Sequence, residues 1–569
     1  MICLKNSRTV ILFFKGMNPF QGFHLYSVFV KIKGIAMVFN HLCKFFCKLP
    51  RPLRYSFLSL FCLFSFEGFS ESAGLFSAHY ITVEGKILSV ISTDLDDKES
   101  AEIVVLNKTG VYPNEKRWIF IYRAETSAQY STTDSQRWEV DHAATMFDVG
   151  DVAPSPGKEI FFLTDLGISY YAQEGDGKFS TTPHILLSYP TITVFPSAGS
   201  LPRGRLFADW KRNGRKMLLL PQFTSLLFFG RDDYEKWRMT DKVTIAPRTF
   251  LFSNHPDDGA FRDFSIHAEF RLPRIFTEDF NGDNLQDLLL TEQESLTVYL
   301  RRLDGHFSPE PSAKIVFPVR PSGKEADTNL SFLTTPVDVN RDNFVDVILT
   351  LTKGTGKFLE QEIIIFIFLN QQNSEFPFAT EPDQIITVDG ITPGVNIVDV
   401  NGDSRIDLLF SNIRISFWKI VKNLISKRVS LDTSIYLLKS DYRYPENPDF
   451  QLKTDYQIDL THKINFHGAW PTLKGDFNGD GLKDLLIARD GKIEIFLKKL
   501  DGDLFSKPIT QTGVVTSPYM NISDLNNDGL NDLLFYEKKR DGKMSILLNT
   551  GDWKDDFSSG REYRSMNGK

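Results

Sequence analysis

Nine residues, Asp476-Phe-Asn-Gly-Asp-Gly-Leu-Lys-Asp484, put oxygen-bearing side chains at positions 1, 3, 5 and 9 of a short stretch. Asp476, Asn478, Asp480 and Asp484 alternate along it, and Gly481 at position 6 permits a sharp bend that aims them at one point. Hard cations such as Ca2+ take about six to eight oxygen ligands, and the position-7 carbonyl, at Leu482, adds a backbone one. The chemistry these residue types can do is divalent-cation binding.

The pattern recurs. Asp279, Asn281, Asp283 and Asp287, with the Leu285 carbonyl, form a second copy. Asp338, Asn340, Asp342 and Asp346, with Phe344, form a third, and Asp399, Asn401, Asp403 and Asp407, with Arg405, a fourth. The fifth is Asp524, Asn526, Asp528 and Asp532, with Leu530. Gly481 and Gly529 suit position 6 best and Asn284 and Asn343 come next, while Ser404 suits a left-handed backbone less well, so the 399–407 loop is expected to bind more weakly. For any single loop the alternative is a metal-free turn capped by Asp or Asn. Three weaker copies precede these. Asp94–Glu102 keeps acids at positions 1, 3 and 9 but has Lys98 at position 5, which could supply the positive charge itself. Asp148–Glu159 carries an insertion, and Asp209–Met217 has Lys211 at position 3 and Met217 at position 9, so both are expected to be metal-free.

The eight starts lie 54, 61, 70, 59, 61, 77 and 48 residues apart. A period near 60 is too long for a two-helix repeat and fits a four-stranded propeller blade. Position 2 is apolar in all five good copies (Phe280, Val339, Val400, Phe477, Leu525), and a short apolar strand follows each position-9 Asp. Arg489-Asp-Gly-Lys492 and Arg540-Asp-Gly-Lys543 read as hairpin turns, and Ser295–Leu300 alternates as a half-buried strand should. Helical periodicity is confined to the neighbourhood of Phe417–Leu424. The 49 Phe residues most simply pack between sheets. The expected fold is therefore all-β, a β-propeller of seven or eight four-stranded blades with calcium-binding β-loop-β motifs.

Residues 1–73 read as a targeting segment, 74–555 as the propeller and 556–569 as a polar tail. Lys44, Lys48, Arg51 and Arg54 precede an apolar run, Tyr55–Phe66, and small residues follow at Ser70, Ser72, Ala73 and Gly74, the layout of a secretory signal. The alternative is a retained anchor, and Met37 offers a second start. Phe61 before Cys62 is too large for lipoprotein processing. All four Cys lie within residues 1–62, which leaves the main body without disulfides, thiolate nucleophiles or Cys-ligated zinc. Residues 1–70 hold nine of the 65 Lys/Arg and one of the 72 Asp/Glu, so the remainder carries 56 cations against 71 acids, a net of −15. That balance disfavours nucleic acid and suits divalent cations. About five structural Ca2+ would take the body to about −5.

On these motifs the chain resembles the FG-GAP/VCBS repeat family, the calcium-loop β-propellers that include the head of integrin α subunits and many secreted bacterial proteins. The likeness spans roughly residues 80–550 and is strongest over 276–549. It implies seven blades as the usual number, whereas eight loops are present; the Phe-Gly and Gly-Ala-Pro segments of the family name do not stand out clearly here, which favours the VCBS branch. An EF-hand would need Glu at position 12, where Leu290, Leu349, Phe410, Ile487 and Phe535 stand instead.

No serine-hydrolase elbow, zinc-helix, phosphate-loop or dinucleotide motif is present, and the ten His are scattered. The expectation is a non-enzymatic, secreted or surface-exposed bacterial scaffold, cell-surface or outer-membrane-associated, that binds a protein or glycan. The long connections at 218–275 and 411–470 are its expected binding face. The alternatives are a calcium-dependent, lyase-like polysaccharide enzyme, favoured if Arg203, Arg205, Lys211, Arg212 and Arg215 gather at one channel mouth, and a structural module of a surface assembly.

Overall fold

Each Leu-Leu-type run after a position-9 aspartate is a second strand covered on both faces. Leu485 and Ile487 pack toward the preceding sheet, with Leu431 and Ile435, while Leu486 packs toward the following one, with Leu533 and Phe535. Successive strand residues point to opposite faces, so a strand between two sheets must be apolar throughout rather than alternating.

The computed structural model describes residues 74–552, except 99, 112–113, 127–128, 175–176, 193–199, 255–264, 322–328, 355–360, 374, 376, 393, 414–426, 460–464, 500–501 and 539–540, together with three strands within residues 3–30. The chain divides after Ser72. In the first unit Cys3–Asn6, Thr9–Lys15 and Leu25–Val30 form an antiparallel sheet. The signal-like run at 55–66 and the helical periodicity at 417–424 lie outside the described residues.

The second unit is all-β, and its described residues contain no helix, hence none long and apolar enough to cross a membrane. Strands follow one another in antiparallel meanders spanning 146–188, 207–244, 274–316, 329–389, 395–466 and 468–512. Each has four strands, except that 395–466 adds a fifth, Asn465–Phe466. A seven-stranded sheet joins the two ends of the second unit. The 18-residue strand Phe76–Thr93 pairs through Phe76–Lys86 with Asp541–Asn549 and through Lys86–Thr93 with Glu102–Lys108. It is at once the fourth strand of the last meander and the first strand of the first. Apolar clusters lie between successive sheets, and one of them packs Leu534 and Ile546 from the last against Ile103 and Phe120 from the first. This is a β-propeller-like arrangement.

Because consecutive strands are antiparallel, connections between first and second strands and between third and fourth strands share one end of the sheets. The remaining connections share the other. All eight aspartate loops join a first strand to a second. The 70-residue spacing is explained by an added hairpin, Arg248–Asn254 with Ser265–Arg271, and the 77-residue spacing by long strands and the segment 414–426. Most of 218–275 is therefore sheet rather than loop. The hairpin leaves from the end opposite the aspartate loops.

Arg489-Asp-Gly-Lys492 turns as expected, with Asp490 and Gly491 both at positive φ (52° and 77°). Asp541-Gly542 does not turn. It lies in the strand after the reversal, beside a register shift opposite Lys86 and Val83, where a Cβ on Gly542 would sit 2.3 Å from the Val83 carbonyl oxygen. The glycine serves close approach of two strands, which a dipeptide cue cannot distinguish from a turn.

Candidate metal centres

The five loops share one backbone. Position 6 has positive φ in each (Asn284, Asn343, Ser404, Gly481, Gly529), as the bend requires. Position 4 does too (Gly282, Arg341, Gly402, Gly479, Asn527), a requirement the sequence reading passed over. Position 1 caps the bend: Asp476 Oδ1 accepts the Gly479 N–H at 2.8 Å and Oδ2 accepts the Gly481 N–H at 2.8 Å. Position 5 follows suit, with Asp480 Oδ1 accepting the Leu482 N–H and Oδ2 accepting the Asn478 amide at 3.0 Å.

Position 9 is buried in every copy. Asp287, Asp346, Asp407, Asp484 and Asp532 are 0% exposed. One oxygen accepts the position-2 N–H (Phe280, Val339, Val400, Phe477, Leu525) at 2.8–2.9 Å. The other accepts an N–H at or just past the end of the third strand (Arg301, Asn370, Leu438, Lys498, Asn549) at 2.6–2.9 Å. Burial pushes Asp287, Asp346 and Asp532 up to about 7 and Asp407 and Asp484 up to about 6; these N–H donors oppose the rise and the position-5 and position-1 carboxylates add to it. Like charges thus face one another with little to offset them.

The donor set is of the kind Ca2+ takes, although among the described residues in none of the five loops do three carboxylates bring oxygens within 4.8 Å of one another. It is all hard oxygen, each carboxylate oxygen keeps lone-pair capacity beyond the bonds named, and in the 524–532 loop Asn526 Oδ1, at position 3, is buried without a hydrogen-bond partner. The 399–407 loop differs. Arg405 Nη2 lies 2.5 Å from Asp403 Oδ2, so a cation already sits on one ligand. Burial would raise Asp403, but the Arg405 N–H, the Asn401 amide and the Arg405 side chain together hold it below the usual range.

Among the described residues, one set of three acidic side chains brings its ligand oxygens within 4.8 Å of one another, and it belongs to a weak copy: Asp94, Asp96 and Glu102. Asp94 Oδ1 and Asp96 Oδ1 are buried without partners, yet Lys98 Nζ lies 2.6 Å from Asp96 Oδ2 and Arg123 lies 3.5 Å from Asp96 and 3.7 Å from Glu102. Glu102 takes the position-9 part, accepting the Leu95 N–H at 2.8 Å, and Glu159 does likewise for Val152 and Ala153.

Of the five cations named for a channel mouth, four go to separate partners. Arg203 pairs with Asp148, Arg205 lies over Trp210, Lys211 pairs with Asp241 and Arg212 pairs with Glu278. A polar cavity of about 430 Å³ opens elsewhere, among Asp97, Asp151, Ser155, Lys158, Lys216 and Arg231.

The model of the family described as FG-GAP-like repeat matches residues 279–349 and 476–535. These two stretches are FG-GAP-like repeats. Each FG-GAP-like match begins on a position-1 aspartate and contains two of the five loops. No curated protein matches the sequence. Among solved structures, one from work on recognition of non-reducing terminal N-acetylglucosamine by an Agrocybe aegerita lectin is 12% identical, with 83% of this chain and 99% of that one covered and a TM-score of 0.37. The V. cholerae biofilm matrix protein Bap1 is 11% identical, with 82% and 88% covered and a TM-score of 0.28. A Lactobacillus plantarum protein is 10% identical, with 73% and 97% covered and a TM-score of 0.27.

Proposed function

We propose that this protein is an eight-bladed calcium-binding β-propeller, closed by Phe76–Thr93, that acts as a secreted or surface-exposed scaffold for a protein or glycan ligand. The observation that carries the reading is the repeated loop: five copies with a buried, charge-strained position-9 aspartate at the same end of successive sheets. Calcium would be held by the side chains at positions 1, 3, 5 and 9 and the position-7 carbonyl, and would supply the positive charge that these carboxylates lack. Its part is structural, bracing each loop against the sheet behind it.

The ligand would meet the opposite end, where the Arg248–Arg271 hairpin departs. Division of labour between a braced end and a variable end is how repeat folds build binding faces. The basic, apolar and small residues over 44–74 support export. The test is a glycan and host-protein array in calcium, with a polysaccharide depolymerisation screen beside it. Saturable binding that is lost when the 248–271 hairpin is replaced by a short turn supports the scaffold. Depolymerisation without stable binding contradicts it.

A further inference from the structure

The 209–217 loop shares the backbone of the five good copies but not their ligands. Asp209 accepts the N–H groups of Asn213 at 3.0 Å and Gly214 at 2.7 Å, as position 1 does elsewhere, and Gly214 has φ +82°. Position 9, however, is Met217, which cannot accept the two N–H groups that a position-9 aspartate takes. Position 3 is Lys211, whose side chain is 8% exposed.

A buried ammonium is tolerated only when paired. Lys211 Nζ lies 2.8 Å from Asp241 Oδ2, and the Asp241 side chain is 1% exposed. Asp241 belongs to Trp237–Thr244, the fourth strand of the same sheet, and its other oxygen accepts the Phe307 N–H at 2.8 Å from the next sheet. The Lys211 carbonyl accepts from Arg301 of that next sheet at 3.1 Å, and the ammonium stands 5.2 Å from the Phe307 ring centre. The pair therefore joins the 207–244 and 274–316 sheets at the end where the aspartate loops lie.

One junction earlier, Asp148 does related work. Its Oδ1 accepts from Arg203 Nε at 3.1 Å, and its Oδ2 accepts the N–H groups of Leu206 at 2.9 Å and Phe207 at 3.2 Å. Apart from the adjacent Val149 N–H at 2.9 Å, the position-1 acid of the 148–159 loop is spent on the approach to the neighbouring sheet.

From this we infer that Lys211–Asp241, supported by Asp148–Arg203, replaces the divalent cation at these two junctions. This stretch of the molecule then stays closed without calcium while the five carboxy-terminal loops depend on it. The inference rests on the calcium reading of those five loops. It divides the chain into a metal-independent part around 146–244 and a metal-dependent part from 279 onward, so that calcium withdrawal opens one and leaves the other.

Hydrogen exchange on the full chain, in calcium and in chelator, tests this for wild type and Lys211→Met. In wild type, chelation should speed exchange across 476–489 and 524–536 and leave Met217–Pro221 unchanged. Lys211→Met should speed exchange at Met217–Pro221 about 100-fold in calcium and chelator alike, because it strands a buried carboxylate. If that variant does not fold, Lys211→Met with Asp241→Asn strands no carboxylate; having lost the Lys211–Asp241 tie it should show a smaller loosening, equal in calcium and in chelator. Chelator-sensitive exchange at Met217–Pro221 in wild type, or no loosening in either variant, overturns the inference while leaving the calcium sites intact. Exchange indifferent to calcium at 476–489 and 524–536 overturns the calcium reading itself, and the division with it.

Discussion

Asp484 Oδ2 accepts the Phe477 N–H at 2.8 Å, closing the loop across seven residues while Phe477 itself is fully buried between sheets. The carboxylate is therefore a structural cap before it is anything else. Asp484→Ala leaves the Phe477 and Lys498 N–H groups unpaired in the interior, and each costs about 1–3 kcal/mol. A loss of roughly 3 kcal/mol is expected in urea unfolding with chelator present. Asp480→Ala should cost more than Asp209→Ala in calcium, and that difference should shrink in chelator.

Asn549 is a second cap that single-residue motifs do not reveal. Its backbone N–H reaches Asp532 Oδ1 at 2.6 Å, and its side-chain amide reaches the Phe477 carbonyl at 2.7 Å in the preceding sheet. Asn370 repeats the arrangement, with its N–H 2.7 Å from Asp346 Oδ1 and its amide 3.5 Å from the Phe280 carbonyl. Asn549→Ala should lower stability by roughly 2 kcal/mol, and Asn370→Ala by less, because its inter-sheet bond is longer. Paired thermal melts check the order.

Ser404 holds φ +74° without the freedom of glycine. Ser404→Gly should raise stability by about 1 kcal/mol and tighten calcium binding at the 399–407 loop, read by calorimetry. Arg405→Gln, which removes the cation from Asp403, should tighten it further.

Without calcium, the position-9 carboxyls that burial lifts to about 6–7 bind protons more readily folded than unfolded, where Asp titrates near about 3.9. A carboxyl raised on folding stabilises the fold while protonated. Its contribution is complete below about pH 4 and is lost as pH rises through about 6–7. Calcium-free protein should therefore melt at a higher temperature near about pH 5.5 than near about pH 8. Excess calcium should narrow or invert that gap, since the ion favours the ionised form. A higher melting temperature at the alkaline end without calcium contradicts this.

The all-β class and the loop positions were legible because a metal-type loop constrains side chains at fixed offsets, and five repetitions of Asp-x-Asn-x-Asp-x-x-x-Asp leave one common backbone. What escaped depends on partners distant in sequence. Phe76–Thr93 serves two sheets only because its first half meets Asp541–Asn549, more than 450 residues later. Gly542 looked like a turn until Val83 lay against it. Lys211 looked like a lost ligand until Asp241, 30 residues on, proved to be its partner. Spacing also overstated the loops, since the extra length near 218–275 is largely strand.

The central claim is that five loops take up calcium and that the fold depends on it. Extracellular calcium modules bind at about 10⁻⁴–10⁻³ M, and a site held at about 100 times its dissociation constant adds about 2.7 kcal/mol. The direct measurement is a calcium titration of chelator-stripped full-length protein, followed by calorimetry and thermal melting on the same sample. About five ions should bind per chain, the one at Asp399–Asp407 weakest, with a melting temperature that climbs as they bind. A chain that takes up no calcium and melts identically with calcium and with chelator contradicts it.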